Sequence, residues 1–247
     1  MTRGWYAIFL REMLLFKKKF VRLGYLFSAM MMPLVYLAAF GLGLGRSVAL
    51  ESGSYLDFLL PGLVAMSSMN NSYNWVASAL NLNRVYYKTF QVFVQAPVSP
   101  SAILAGEILA GMTKGLFASL LIIVVGAFAS GLGFFSPPFV CAVLVNCFLF
   151  ASLGVITGMI TKYHEDTATY SNFFIMPMAF FSGTFFPVSS MPWYLQWFIQ
   201  ILPLTHTNVL IRKASFDVEG VVSLGVLLAY SAVFFAIGAR IIHEYSE

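Results

Sequence analysis

Long apolar segments separated by short polar stretches constrain this chain more than any other feature. The hydrocarbon core of a bilayer, about 30 Å thick, is crossed by roughly 20 mostly apolar residues in a helix. Charged residues make up only 10% of the 247 residues and apolar residues make up 60%, whereas a soluble domain carries about 25% charged residues. The sequence therefore predicts an all-α polytopic membrane protein and disfavours a soluble enzyme. Six segments qualify as transmembrane helices of one domain spanning 1–247, namely 24–45, 56–80, 101–130, 139–161, 167–187 and 221–242.

Basic residues are distributed unequally between the two sides of these segments. With six spans both termini lie on one side, and basic residues accumulate in cytoplasmic loops. The side with the termini carries Arg3, Arg11, Lys17, Lys18, Lys19, Arg22, Arg84, Lys88, Lys162 and Arg240, and the other side carries Arg46, Arg212 and Lys213. We therefore predict that both termini are cytoplasmic. The net charge of +4 follows from this bias and does not indicate a nucleic-acid partner.

Residues 1–23 are too short and too charged to form a seventh span. Apolar and charged side chains separate at helical spacing, which is typical of a helix lying in the membrane interface. The apolar set is Trp5, Ile8, Phe9 and Leu15, and the charged set is Arg11, Glu12 and Lys18. We predict a cytoplasmic interfacial helix here, anchored on anionic lipid by its lysine run.

Two further segments are predicted to lie along the membrane. In residues 81–100 apolar side chains recur at helical spacing, which predicts a short amphipathic cytoplasmic helix. Residues 188–203 are aromatic-rich but too short to span, and backbone at that depth must bond internally. They predict a re-entrant helical hairpin on the extracytoplasmic side, after the fifth span.

Three asparagines lie in the second span, at Asn70, Asn71 and Asn74. An amide facing lipid costs several kcal/mol without partners, so these side chains must face protein or water. One interpretation is hydrogen bonding between helices. The other is a hydrophilic stripe that lines a translocation path. Both interpretations stay open at this point.

The third span contains two ionisable residues, Glu107 and Lys114, which lie two turns apart on one helix face. Ionisable residues within a membrane are expensive and are commonly functional. Glu107 lies close enough to the cytoplasmic interface to be solvated, whereas Lys114 lies deeper. A structural pair and a pathway role are both open.

The chemistry that the sequence lacks is also informative. No P-loop motif G-x-x-x-x-G-K-[ST] is present, and no cofactor or metal motif was found, so no catalytic, cofactor-binding or metal-binding residues are predicted. An intramembrane serine hydrolase using Ser182 and His206 is disfavoured because Phe180 stands where glycine is needed. A carrier driven by an ion gradient should show repeat-related broken spans, and none is evident.

From the fifth span onward the chain reads Phe181-Ser182-Gly183-Thr184-Phe185-Phe186-Pro187, then Met191-Pro192, then Pro203-Leu204-Thr205-His206, and finally Arg212. In this order the stretch resembles the type-2 permease family of ATP-binding-cassette (ABC) exporters, with a layout similar to nodulation-factor and drug-export permeases. Two further stretches agree, Leu60-Pro61-Gly62-Leu63 and Ala96-Pro97-Val98-Ser99, so the resemblance covers most of the chain. The residues that match the family pattern near the C-terminus are Gly183, Pro187, Pro192, Pro203, His206 and Arg212.

The resemblance implies the membrane subunit of a bacterial inner-membrane exporter, with ATP and Mg²⁺ bound by a separate ATPase. Two ATPase copies would dock below two copies of this chain, or below this chain and a close paralogue. The 81–95 helix would be the coupling helix, with contacts at Arg84, Val85, Tyr86, Lys88 and Phe90. The path would combine the three span-2 asparagines with a hydrophobic gate at Phe180, Phe181, Phe185 and Phe186.

The cargo expected from this resemblance is an amphipathic molecule, either lipid-linked, a glycolipid or drug-like. The alternative function is an ion-coupled secondary carrier or channel that works without an ATPase. The amphipathic 81–100 loop together with the absent P-loop favours the exporter, because the nucleotide chemistry then belongs to another chain.

Overall fold

The computed structural model describes residues 4–20, 31–44, 54–130 and 135–246, and all regular elements within them are helical. The all-α class is therefore confirmed for this part of the chain. Residues 21–30 and the end of the first predicted span lie outside the described residues.

Eleven helices are defined in the described residues. Three segments have wider, π-helical turns. The end of α2 lies in one of them, Leu37–Leu44; α3 is followed by Leu82–Tyr86; and Ser171–Ile175 joins α7 to α8. In chain order the eleven helices are α1 Gly4–Phe20, α2 Met31–Gly41, α3 Tyr55–Asn81, α4 Thr89–Gln95, α5 Pro100–Ser130, α6 Pro137–Ile160, α7 His164–Tyr170, α8 Met176–Phe181, α9 Trp193–Ile201, α10 Pro203–Ile211 and α11 Val218–Ser246.

Three of the described helices are long and apolar enough to cross a membrane, over Pro100–Phe128, Pro137–Ile160 and Val218–Tyr245. The helix α3 is equally long, but its asparagine-rich middle makes it more polar. The segment predicted as the fifth span is divided into α7, a π-helical turn and α8, and it ends at a turn after Phe181. The count of six spans stays a prediction.

The helix α3 occupies the centre of the bundle between α5 and α6, and glycines permit this close approach. A Cβ at Gly115 would lie 1.9 Å from Ser72 Oγ, and one at Gly111 would lie 2.4 Å from Val76 Cγ2. On α6, a Cβ at Gly158 would lie 2.8 Å from the Ala77 carbonyl oxygen. Small residues at such spacing let helix backbones pack closely, so the glycines of α5 and α6 leave room for the backbone and side chains of α3 and cannot be enlarged.

Hydrogen bonds fix the register of α3 against α6. Asn146 Nδ2 donates to the Ala65 carbonyl at 3.0 Å and to Ser68 Oγ. Near the end of α3, Asn81 Nδ2 donates to Thr161 Oγ1 at 2.9 Å. The amide nitrogens of both residues therefore find acceptors on neighbouring segments, as buried polar groups inside a membrane protein need.

The helix α1 packs directly on α5. A Cβ at Gly106 would lie 2.8 Å from Ile8 Cβ and 2.8 Å from the Trp5 carbonyl oxygen. Ile8 is buried on this face, but so is the charged residue Glu12, whose exposed fraction is 1%. The sequence places Glu12 on the polar face of an interfacial helix, and the structure corrects this, because that side chain meets a lysine inside α5.

The last part of the chain contains a helix that the sequence pattern did not predict. The segment 204–220 carries no strong apolar run, yet α10 forms there and is buried against α3, α6 and α11. Its polar side chains Thr205, Thr207 and Asn208 are buried and hydrogen-bonded to neighbouring segments. Hydrogen bonds from these polar side chains therefore stabilise the buried position of α10, which hydropathy alone does not predict.

We expect Gly154→Ala to destabilise the fold by about 1–3 kcal/mol, the usual cost of overpacking. The new Cβ would lie 2.7 Å from the Tyr73 carbonyl oxygen, which belongs to the backbone of α3. The matched control is Gly225→Ala on α11, where no atom lies within 4 Å and where alanine gains about 0.5–1 kcal/mol in a helix. Thermal unfolding in detergent compares the two, and equal unfolding temperatures would contradict the close packing of α3.

Candidate functional site

A cavity of about 1010 Å³ lies beside α3, on the face turned away from α5 and α6. Its walls come from α1, α2, α3 and the α7–α8 segment. Residues of α1 and of the π-helical turn after α3 line the end nearest α4, and Tyr36 and Phe180 lie towards the other end. The cavity is therefore built by elements from the first, second and fifth predicted spans.

Asparagine side chains form a polar belt around the middle of this cavity. Asn70, Asn71 and Asn74 line it from α3, and Asn172 lines it from the turn between α7 and α8. Asn71 Nδ2 donates to the Ser67 carbonyl of its own helix at 3.0 Å. Among the described residues, the amides of Asn70, Asn74 and Asn172 have no hydrogen-bond partner. These groups are available to water or to a bound molecule.

The asparagines that join helices are different ones. Thr207 Oγ1 of α10 donates to Asn146 Oδ1 at 2.8 Å, which adds a third helix to the α3–α6 contact. Asn208 Nδ2 donates to the Ser182 carbonyl at 2.8 Å. Asn146 also lies within an apolar span, as Asn70 does. The rule that an amide in a membrane span needs a polar partner therefore applies to Asn146 as well and could have identified it from the sequence. The geometry gives the helix-joining role to these residues and leaves Asn70 and Asn74 facing the cavity.

A buried ion pair lies next to the cavity. Lys114 Nζ donates to Glu12 Oε2 at 2.9 Å, and both side chains are almost fully buried. Lys114 Nζ also lies 4.4 Å from the centre of the Trp75 ring, a cation–π contact. Glu107 is buried on the same helix, and its Oε1 has no hydrogen-bond partner among the described residues. The sequence relates Lys114 to Glu107 by spacing, but the ion-pair partner that the structure provides comes from α1.

Aromatic rings close the cavity at the end far from α4. The Phe180 and Phe185 rings stack with centroids 5.2 Å apart, and Tyr36 contacts both of them edge-on. Of the four predicted gate residues, Phe180 lines the cavity and Phe185 is buried behind it. Phe181 and Phe186 are partly exposed and do not line the cavity.

The C-terminal motif residues build a turn and helix unit at the same end. Gly183 has φ of +78°, in the left-handed region where glycine is favoured. Pro187 and Pro192 directly precede the short helices Val188–Ser190 and α9, and Pro203 opens α10. His206 Nε2 hydrogen-bonds the Gln200 carbonyl oxygen at 2.9 Å. These motif positions therefore shape the backbone and place no reactive group on the cavity.

Arg212 holds this unit against the start of α3. Its Nε and Nη2 both donate to the Phe58 carbonyl at 3.1 Å, and its Nη1 donates to the Asn208 carbonyl. The guanidinium carbon lies 3.9 Å from the centre of the Phe58 ring. At the next residue, Lys213, hydrogen bonds to Asp217 and Glu219 raise the pKa of the ammonium group. The structure thus gives Arg212 the role of a clamp between segments that are distant in sequence.

The predicted coupling residues fall into two groups. Val85, Tyr86 and Lys88 are exposed, together with Tyr87 and Val92, which the sequence did not single out. Lys88 has φ of +54°, a left-handed conformation at the start of α4.

The other two coupling residues face inward. Phe90 is fully buried and contacts the Tyr245 ring edge-on, so it holds α4 in place and is absent from the exposed surface. Arg84 is half-buried and hydrogen-bonds the Thr161 carbonyl, which ties the segment to the connection between α6 and α7.

The fold is that of a helical membrane protein with a cavity between its helices. The ABC-2 type transporter family model matches residues 3–216. The chain belongs to the ABC-2 type transporter family, and it is a transport permease subunit of an inner membrane. Membrane subunits of this family are transporters and do not catalyse a reaction themselves.

Curated relatives cover most of the chain. The inner membrane transport permease YadH of Escherichia coli is 27% identical over 208 residues, which is 82% of this chain and 81% of YadH. Nodulation protein J of Rhizobium meliloti is 31% identical over 246 residues, which is 98% of this chain and 93% of that protein. Nodulation protein J of Sinorhizobium fredii is 30% identical over 222 residues, or 88% of this chain and 83% of its own length.

Leucine substitutions distinguish cavity asparagines from helix-joining ones. Asn146→Leu removes three interhelical hydrogen bonds, and we expect a loss of about 1–3 kcal/mol. Asn74→Leu removes none among the described residues, so its stability should stay within about 0.5 kcal/mol while transport falls. Thermal unfolding of both variants in detergent provides the comparison. Equal destabilisation would assign Asn74 to the joining of helices.

Proposed function

We propose that this chain is the membrane subunit of an ATP-driven exporter that moves an amphipathic substrate across the inner membrane through the cavity. The observation that carries the proposal is that Asn70, Asn74 and Asn172 line the cavity without a hydrogen-bond partner among the residues that the structure describes. Such amides are costly unless water or cargo satisfies them. A path for a polar group supplies that partner, and a purely structural role does not.

The lining suits a cargo with a polar and an apolar part. The amides of Asn70, Asn74 and Asn172 can bind hydroxyl or carbonyl groups, while Met32, Met66 and Met176 line the same cavity with flexible apolar surface. A lipid-linked molecule, a glycolipid or a drug-like amphiphile fits this combination. In the proposed cycle, the stacked rings of Phe180 and Phe185 separate to release the cargo outward.

A separate ATPase supplies the energy in this proposal. The sequence carries no P-loop, and the segment from Val85 to Val92 presents two exposed tyrosines and a lysine. Tyrosine is enriched in the cores of protein interfaces. Lys88 stays in a left-handed conformation that costs about 1–2 kcal/mol for a residue with a Cβ, which is expected where a surface is shaped for a partner. ATP and Mg²⁺ belong to that partner.

The proposed assembly contains two copies of this chain, or this chain and a close paralogue, above two ATPase subunits. Both termini and α4 face the cytoplasm, and six spans cross the membrane. The short helix α9 lies in the outer leaflet as part of a re-entrant hairpin. Its exposed Trp193, Tyr194 and Trp197 are the side chains that favour a membrane interface.

Alanine substitution of one exposed tyrosine tests the docking surface. Tyr86 is 76% exposed, so Tyr86→Ala should leave the fold intact and reduce the amount of ATPase that co-purifies with the tagged chain in mild detergent. The matched control is Tyr194→Ala at the opposite end of the bundle, where the side chain is 60% exposed. This control should retain the ATPase in the same amount as the unsubstituted chain.

Two results would contradict the proposal. If Tyr86→Ala retains the ATPase as well as Tyr194→Ala does, the docking surface lies elsewhere. If the unsubstituted chain purifies without any ATP-binding subunit, with or without ATP, the ion-coupled carrier becomes the better account. Glu107, Lys114 and the cavity asparagines would then be examined as an ion site.

A further inference from the structure

A series of polar contacts runs from the α4 segment into the interior of α5 through two consecutive residues of α1. Arg11 forms its first part. Its Nη2 donates to Asn83 Oδ1 at 3.0 Å and to Thr89 Oγ1 at 3.4 Å, and its guanidinium carbon lies 5.1 Å from the centre of the Phe93 ring. All three partners belong to the segment that includes α4 and the π-helical turn before it. Arg11 is therefore attached to the proposed docking segment and not to bulk water.

Glu12 forms the second part. Its Oε1 accepts from Arg11 Nη1 at 2.9 Å, and its Oε2 accepts from Lys114 Nζ at 2.9 Å. Lys114 lies well inside the 31-residue helix α5, against the Trp75 ring of α3. Arg11, Glu12 and Trp75 also line the cavity. The contacts thus end at the wall of the proposed path.

The ion pair is not the sole contact between α1 and α5. Ile8 of α1 packs against Gly106 of α5, and Ala102 of α5 lies next to Gly4 of α1. Replacing a buried ion pair by apolar residues is often neutral or stabilising, whereas leaving one charge alone is strongly destabilising. A pair of this kind adds little stability but resists separation, which is the property of a rigid connection.

The other ion pairs of the described residues differ from this one. Arg240 and Glu244 lie one turn apart on α11, and Lys213 pairs with Asp217 and Glu219 close by in sequence. These pairs are exposed and join no distant elements. The Glu12–Lys114 pair joins residues 102 positions apart, and it does so next to the cavity.

We propose that Arg11 and Glu12 are positioning residues that transmit a displacement of the α4 segment to α5 and to the cavity wall. The proposal rests on the proposed function, because the ATPase is what displaces α4. When Asn83 and Thr89 move, Arg11 follows them, and Glu12 shifts with Arg11 on the same turn of α1. Lys114 follows Glu12 because the two buried side chains are hydrogen-bonded at 2.9 Å. The cavity then changes at the end nearest α4.

The test uses the full chain in complex with its ATPase in lipid, with a thiol reporter inside the cavity. Ser78 lines the cavity, so Ser78→Cys places a thiol there with little change in volume. The natural thiols Cys141 and Cys147 are free and are replaced by alanine. The measured quantity is the rate at which the reporter reacts with a water-soluble maleimide, with and without a non-hydrolysable ATP analogue and Mg²⁺. ATP hydrolysis by the complex is measured in parallel.

The decisive variant combines Glu12→Leu with Lys114→Met, which removes both partners of the buried ion pair together. The control combines Arg240→Met with Glu244→Leu, which removes an exposed ion pair. We expect the analogue to change the labelling rate about fivefold or more in the control, the usual size of coupling between two sites. In the Glu12–Lys114 variant this change should be lost, while ATP hydrolysis continues at the control's level because the docking surface is intact.

A second variant tests the same proposal if the first variant does not fold. Arg11 is partly exposed, so Arg11→Met cuts the contacts to Asn83 and Thr89 while the Glu12–Lys114 pair remains. It should lose the response to the analogue in the same way. A response equal to the control's in both variants would overturn the transmitting role. A parent complex that shows no response at all would overturn the proposed function itself, and with it this proposal, so the two failures are distinguishable.

Discussion

The close approach of α3 to α5 and α6 is the contact on which the rest of the structure depends. Glycines on both neighbours let α3 approach closely and leave no space for larger side chains at those positions, so two faces of α3 are committed to packing. The remaining face carries the asparagines, and it is therefore turned towards α1, α2 and the α7–α8 segment. One packing constraint thus accounts both for the stability of the bundle and for the position of the polar cavity. A larger residue at Gly111 or Gly115 would disturb both.

Buried polar groups in this chain have two distinct functions, and hydrogen bonding separates them. The amide nitrogens of Asn81, Asn146 and Asn208 donate hydrogen bonds to other elements. Asn70, Asn74 and Asn172 have no such partner within the described residues and line the cavity instead. The transport role of the family and the unpartnered amides therefore point to the same part of the molecule.

Hydropathy and residue spacing predicted the helical class and the three long apolar helices α5, α6 and α11, and they singled out three asparagines without deciding between helix joining and a path. The resemblance on the C-terminal motif predicted the family, which the match over residues 3–216 shows. Neither hydropathy nor residue spacing predicted that Glu12 and Phe90 are buried. Both depend on contacts between segments far apart in sequence, such as Glu12 with Lys114 and Phe90 with Tyr245. Local periodicity describes a face of one helix and does not reveal what another helix places against it.

The most direct measurement is a structure of the chain in lipid with the ATPase that accompanies it, determined by electron cryomicroscopy with and without a non-hydrolysable ATP analogue. The account predicts ATPase density against Tyr86 and Lys88. It also predicts a cavity at the asparagine belt whose volume differs between the two states, with cargo or lipid density next to Asn74. An ATPase seated on another surface, or a cavity that is the same in both states, would contradict it.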